Sequence, residues 1–440
     1  MTTQENTQLT SWRERAKAVM PGKQSNFRPG PDVPPVIAAS AEGLRITDVA
    51  GKDYIDFTLG MGPGLLGHNN ARIRAAIVEQ LDRQMIAASG AMHHTAEIEL
   101  AERIVDHVPC AEQVRFGISG TEADLMVMRL ARGVTGKTHV LRFESHYHGW
   151  ADTSFGGHLE GDSAVPVLGS ELGAGIAPHA HSDVLMCPWN EVGALSQVLT
   201  DHGDKIALVI MEAVMCNTGC CPPRPGYLEA ARALCDKHDV LLCFDEVITG
   251  FRMGLGGAQA QFGVTPDLAV FGKAMAGGLP LSAVAGKRDV MDYLRENRVL
   301  GGGTFNSFPL ATASAIAGID LLAEHDGALY RQMAFVQDKI KAGLEDAAKR
   351  HGFRLLVQGP LGFLFFAFTD LDIAYSPRDL AQADAGLAMR LRGWMEDSGV
   401  LVAGGSRLVT SPMMTDIELS DAIARFDAAF AGLASERSVA

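Results

Sequence analysis

Seven short apolar runs, VRFGIS (114–119), THVLRFES (138–145), DVLMCPW (183–189), IALVIMEAV (206–214), VLLCFDEV (240–247), DLAVFG (267–272) and SAVAG (282–286), are separated by segments of helical period. In TEADLMVMRLARGV and GYLEAARALCDKHD apolar side chains return every three to four residues, the spacing of a helix that lays one stripe on a sheet. Strands that alternate with helices in this way run parallel, and helices cover both faces of their sheet. The pattern predicts an α/β unit whose ligands bind at the carboxyl ends of its strands.

After residue 305 the pattern changes. Two long helical stretches, ATASAIAGIDLLAEH and YRQMAFVQDKIKAGLEDAAKRHG, precede strands around LLVQGPLGFLFFAF and a last helix. Before residue 68, RITDVAGKDYIDF reads as a strand pair suited to the same lobe. The expected organisation is a terminal segment (1–68), a large α/β domain (69–305) and a small α+β domain (306–440), the small domain drawing on both termini. With 440 residues, 47% hydrophobic and 20% charged, the chain has the balance of a globular protein with a sizeable core.

Lys and Arg number 38 against 52 Asp and Glu, a net charge of −14. Such an acidic surface repels nucleic acid and anionic membranes, so neither is expected as a partner. No apolar run approaches the roughly 20 residues that cross a bilayer. The polar start MTTQENTQLTSWRERAKAVM lacks the apolar centre of a secretory signal, and a cytoplasmic enzyme is expected. The seven cysteines are scattered, and the one cluster, Cys216, Cys220 and Cys221, has no second pair or neighbouring histidines to complete a zinc site.

Polar groups at the strand ends are the candidates for chemistry. VLLCFDEV ends in Asp245 and Glu246, and 28 residues beyond Asp245 Lys273 follows DLAVFG. If the two strands are parallel neighbours, carboxylate and amine face one crevice, either as a buried ion pair or as parts of a site. Ser119, Gly120 and Thr121 stand where a strand turns into a helix, offering N–H groups and hydroxyls to a phosphate, although any N-cap looks similar. His146, Tyr147 and His148 follow another strand and suit either a flat ring or the packing of a domain edge. Lysine, acid, phosphate cradle and aromatic together match pyridoxal phosphate (PLP), which needs a lysine for a Schiff base, an acid at its ring nitrogen and donors for its phosphate.

The stretches YIDFTLGMGPGLLGH (54–68), SGTEADLMVMRLARGVTGK (119–137), FESHYHGWAD (143–152), CFDEVITGFR (243–252), FGKAMAGGLPLSAVAGKRDVM (271–291) and GTFNSFPLATASA (303–315) resemble the class III aminotransferases of PLP fold type I. The resemblance is nearest to the branch that contains glutamate-1-semialdehyde aminomutase. It implies that Lys273 forms the Schiff base, that Asp245 pairs with the pyridine nitrogen, and that Val247 and Tyr147 lie on the two ring faces, with His148 among the cofactor contacts. Ser119, Gly120 and Thr121 would hold the phosphate. A threonine of the neighbouring subunit completes the phosphate site in this family, and Thr304 matches it, which implies a homodimer with shared active sites. Glu212 matches a strand-end glutamate near the cofactor and Asn217 a nearby asparagine; either has a structural role or touches substrate. Ala213 stands where the family usually has proline. Arg28, in PGKQSNFRPG, matches an arginine of the aminomutase branch that would grip a substrate carboxylate, the alternative being a solvated surface arginine.

The activity so implied is exchange of an amino group between a small-molecule amino donor and an oxo acceptor. An intramolecular shift of the aminomutase type is the alternative. The aminomutase branch carries a Gly- and Ser-rich gating loop after the Tyr-His stretch, where this chain reads GGHLEGDSAVPVLGSELGAGIAP, and on that ground the exchange reading is preferred. Racemases and decarboxylases share the fold. A nucleotide-binding module is disfavoured, because no GxGxxG or GxxxxGK[ST] opens a helix after the first strand.

Overall fold

The computed structural model describes residues 3–22, 36–87, 89–160, 163–165, 175–404 and 406–436, without the side chains of residues 3–8. Helix α1 (Thr3–Val19) precedes an antiparallel meander of β1 (Ala38–Glu42), β2 (Arg45–Asp48) and β3 (Asp53–Phe57). Helices α2 (Ala71–Arg83) and α3 (Thr95–His107) lead on to the central sheet. The Asn70 side chain caps α2 by accepting from the N–H groups of Arg72 and Ile73.

That sheet contains β4 (Gln113–Gly117), β5 (His139–Phe143), β6 (Val184–Cys187), β7 (Ile206–Met211), β8 (Leu241–Glu246), β9 (Leu268–Phe271) and β10 (Ser282–Gly286), in the order β4-β10-β9-β8-β7-β5-β6. From β6 to β9 every pairing is parallel. β10 is antiparallel to both neighbours. The ten-residue link from β9 to β10 is shorter than the dozen or more that a parallel crossover needs, so the seventh apolar run must reverse direction.

Side chains of successive strand residues point to opposite faces, and two hydrophobic clusters result. In β7, Leu208 and Ile210 pack with Val127 and Leu130 of α4 (Gly120–Thr135), while Val209 and Met211 pack with Leu195 of α5 (Val192–His202) and Leu228 of α6 (Tyr227–Lys237). The same alternation along β8 puts Cys243 in the first cluster and Phe244 in the second. Asp245 therefore continues the α4 side, and Glu246 the opposite side. The short helices α7 (Gly257–Phe262) and α8 (Arg288–Arg295) follow.

Helix α9 (Pro309–Arg350) joins the two helical stretches expected after residue 305, with left-handed backbone at His325, Asp326 and Gly327 between its arms. Beyond it, β11 (Leu356–Gln358), β12 (Phe363–Ala367), α10 (Ala385–Asp397), β13 (Val400–Val402), β14 (Arg407–Val409) and α11 (Asp416–Ser435) form the C-terminal lobe. β13 pairs in parallel with β3, so one sheet is shared by distant parts of the chain. Ile55 and Phe57 of β3 share a core with Phe363, Phe366, Phe426 and Phe430. Thr415 and Glu418 close a capping box at the start of α11. Among the described residues, no helix is long and apolar enough to cross a membrane.

Candidate active site

β8 and β9 are parallel neighbours in which Asp245 faces Val270, three residues before Lys273. Their carboxyl ends open into a cavity of about 380 Å³ lined by Asp245, Lys273, Val247, Glu212, Tyr147 and the start of α4. Lys273 leaves β9 with φ at +38°, an uncommon value for a side-chain-bearing residue, as the chain turns into a short 3₁₀ segment. Among the described residues it makes no ion pair or hydrogen bond. Asp245 bonds elsewhere: Oδ2 lies 2.7 Å from Nδ1 of His148, and Oδ1 accepts the Val247 N–H at 3.0 Å. The simple buried Asp245–Lys273 pair is therefore not formed.

Glu246 is consumed structurally on the opposite face. Its carboxylate accepts from the Thr249 hydroxyl (2.9 Å), the N–H groups of Ala258 (2.6 Å) and Gln259 (3.2 Å), and the Gln259 side chain (3.0 Å). Glu212, just past β7, is 4% exposed and gathers the N–H groups of Tyr147 (2.8 Å), Cys216 (2.9 Å) and Asn217 (3.3 Å). It thereby pins the Tyr147 loop and the loop after β7 to the cavity wall. Burial, followed by the charge on Asp245, raises the Glu212 pKa.

The first turn of α4 carries N–H groups without intrahelical partners. Ser119 caps it by accepting the Glu122 N–H at 3.3 Å. Gly149 approaches this turn at φ +85°, where a Cβ would lie 2.5 Å from Oγ1 and 2.7 Å from Cα of Thr121. Only glycine fits there, and its place shapes the cradle around Thr121.

Two buried cations flank the lysine. The guanidinium of Arg252, 0% exposed, donates to the carbonyls of Ile248 (2.9 Å), Gly362 (3.4 Å) and Gly62. Burial pushes its pKa down to about 10. Arg407, 3% exposed, donates to Asn217 Oδ1 at 3.2 Å and to Gly404 O at 2.8 Å, and forms no ion pair among the described residues. Burial lowers the Lys273 pKa, the charges of Asp245 and Glu212 oppose this, and those of Arg252 and Arg407 add to it.

The structure brings together Lys273, Asp245, Val247, Tyr147, Ser119, Gly120, Thr121, Glu212 and Asn217 on one cavity. His148 does not line it; fully buried, it stands behind Asp245, because the turn after β5 sends neighbouring side chains in different directions. Thr304 lines a second cavity of about 1260 Å³, beside the exposed Phe305, and not the first. Arg28 lies outside the described residues. Sequence reasoning missed Arg407, Arg252 and Asp124. Arg407 opens β14 just before Leu408 and Val409, and only tertiary contact shows that it meets Asn217 across 190 residues.

A lysine and a carboxyl at adjacent parallel strand ends, facing a cavity with a helix N-terminus on its wall, fit PLP. The unpaired amine can join the aldehyde, the acid can face the ring nitrogen, and the cradle can take the phosphate. This arrangement on a seven-stranded sheet defines a PLP-dependent enzyme of fold type I. Residues 27–367 match the family described as class-III aminotransferase, to which the chain belongs. A glutamate-1-semialdehyde 2,1-aminomutase of Ignicoccus hospitalis is 37% identical over 391 residues, 88% of this chain and 90% of the relative. The solved omega-transaminase of Sphaerobacter thermophilus has a TM-score of 0.89 at 26% identity, covering 97% of each chain. The beta-phenylalanine aminotransferase of Variovorax paradoxus has a TM-score of 0.84 at 28% identity, over 98% of this chain and 95% of that one.

Proposed function

We propose that this enzyme moves an amino group within a small carboxylate-bearing substrate, in the manner of an aminomutase. The observation that carries amino-group chemistry is the unpaired Lys273 facing Asp245 across one cavity. When bound, PLP supplies an electron-withdrawing ring that makes the hydrogen on the amine-bearing carbon acidic. Lys273 Nζ would hold the cofactor covalently and, as a free amine, would be the base placed to take up that proton. Its lowered pKa favours the neutral, proton-accepting amine. Asp245 would hold the ring nitrogen in its cationic form, with His148 fixing the orientation of the carboxylate. Gly120, Thr121 and Ser119 would take the phosphate, while Val247 and Tyr147 would pack on the ring.

Arg407 is the cation for the substrate carboxylate, because a guanidinium fork with no acidic partner among the described residues can donate two hydrogen bonds to it. Arg28 is a second candidate for the same role. A homodimer, in which Thr304 of one subunit completes the other's phosphate site, accords with the exposed Leu300 and Phe305 beside Thr304.

The intramolecular form is preferred because of the 37% identity to relatives named aminomutase, which outweighs the dissimilar stretch 156–178. Exchange between two molecules is the second reading, supported by the likeness to the omega-transaminase. Turnover of glutamate-1-semialdehyde alone, measured with and without added 2-oxo acid, separates them. The proposal expects full turnover without the acceptor; strict dependence on the acceptor overturns it in favour of the transaminase reading.

A further inference from the structure

One ionisable side chain on the cavity wall has no role in this scheme. Asp124, near the start of α4, lines the cavity with Asp245, is 2% exposed, and among the described residues has no partner for its Oδ1. The Nε2 of His148, itself 0% exposed, is likewise unpartnered. Single ligand atoms of Asp124, His148 and Asp245 all lie within 4.8 Å of one another.

The groups around Asp124 decide its charge. Asp245 and Cys243 face it from β8, Glu212 from the end of β7, Lys273 from beyond β9, and His148 from the loop after β5. Three carboxyls thus surround one amine. Glu212 receives three backbone N–H groups, and Asp245 receives the Val247 N–H and a contact with the His148 ring. Asp124 receives none among the described residues, and a buried carboxylate without donors is the costliest of the three to ionise. Burial, then the charge on Asp245, raises its pKa well above the usual range, with Lys273 opposing.

We propose that Asp124 is a further cofactor-positioning residue: an un-ionised acid at the ring-nitrogen end of the cavity that completes a hydrogen-bonded set with His148 and Asp245. The proposal rests on the reading that PLP occupies this cavity. As a neutral donor within 4.8 Å of the His148 and Asp245 ligand atoms, Asp124 adds no second negative charge beside Asp245 at the ring-nitrogen end. An amide at this position preserves that role; an apolar side chain abolishes it.

The test uses the holoenzyme and two variants, Asp124→Asn and Asp124→Leu. Infrared spectra in H₂O and D₂O at neutral pH are expected to contain the carbonyl stretch of an un-ionised carboxyl that disappears in Asp124→Asn. PLP dissociation, followed by its absorbance during dialysis, is expected to stay near wild type in Asp124→Asn and to accelerate about tenfold in Asp124→Leu, the worth of one hydrogen bond. An Asp124→Asn spectrum that keeps every such band, or wild-type dissociation from Asp124→Leu, overturns the proposal. Asp124→Ser serves the infrared measurement if Asn fails to fold. Borohydride reduction of the wild type separates this from the cofactor reading: no added mass on Lys273 defeats PLP occupancy itself, whereas labelled Lys273 with unchanged variant spectra defeats only the role of Asp124.

Discussion

Asp245→Asn is the substitution that isolates charge from shape. The amide has the volume of the carboxyl, and its oxygen can keep the Val247 N–H that Oδ1 now accepts at 3.0 Å. What it loses is the negative charge and an acceptor at the 2.7 Å contact with His148 Nδ1. A unit charge acting on a ring cation at roughly 4 Å, with an effective dielectric near 20, is worth about 4 kcal/mol. That corresponds to a fall of roughly 10³-fold in a rate that depends on the ring staying cationic. The assay is a single-turnover, stopped-flow measurement of cofactor absorbance on mixing the loaded variant with saturating amino substrate. Circular dichroism is expected to be unchanged, since β8 keeps its register and its packing. A loaded Asp245→Asn protein that reacts within threefold of wild type refutes the assignment of Asp245 to the ring nitrogen.

Three further outcomes are expected. Gly149→Ala drives a Cβ to 2.5 Å from Thr121 Oγ1 at a φ of +85°, so the cradle must shift; strain of about 1–3 kcal/mol predicts PLP affinity some tenfold or more weaker, read by equilibrium titration of the apoprotein. Arg407→Gln is expected to raise KM at least tenfold for carboxylate-bearing substrates, because removing one partner of a buried charge pair costs about 2–5 kcal/mol, and to leave amines without a carboxylate unaffected; equal losses on both contradict the role given to Arg407. Burial alone would raise the Asp267 pKa, but the Leu242 N–H (2.8 Å), Lys287 (2.6 Å) and Arg232 (2.7 Å) hold it below the usual carboxylate range. The folded state therefore binds the proton less tightly than the unfolded one, so this stabilisation is present above the unfolded pKa and is lost as pH falls through the carboxylate range. Urea unfolding across acid pH is expected to show a steeper loss for wild type than for Asp267→Asn, which starts about 2 kcal/mol less stable.

The parts of this molecule that were legible in the sequence are those governed by local periodicity. The seven apolar runs became the seven strands of the central sheet, and Lys273 and Asp245 stood out because each breaks an apolar run at a strand end. The direction of β10 is a fact of linker length, and counting the ten residues before it would have given it. Periodicity also separates Asp245 from Glu246, since adjacent strand residues face opposite sides, yet it does not say which side is the cavity. That was decided by α7, whose first N–H groups claim Glu246. No local rule extends to the rest of the site. Tyr147 and His148 are neighbours in sequence but divide between the cavity wall and the space behind Asp245, and Arg407 and Arg252 reach the lysine from the C-terminal lobe and from the loop after β8. Asp124 is the sharpest case. In the sequence it is one acid in the first turns of a helix, where an acid favours the helix dipole and calls for no further explanation. It becomes unusual only when folding buries it and, among the described residues, supplies no donor to its Oδ1, a consequence of tertiary packing that no local pattern encodes.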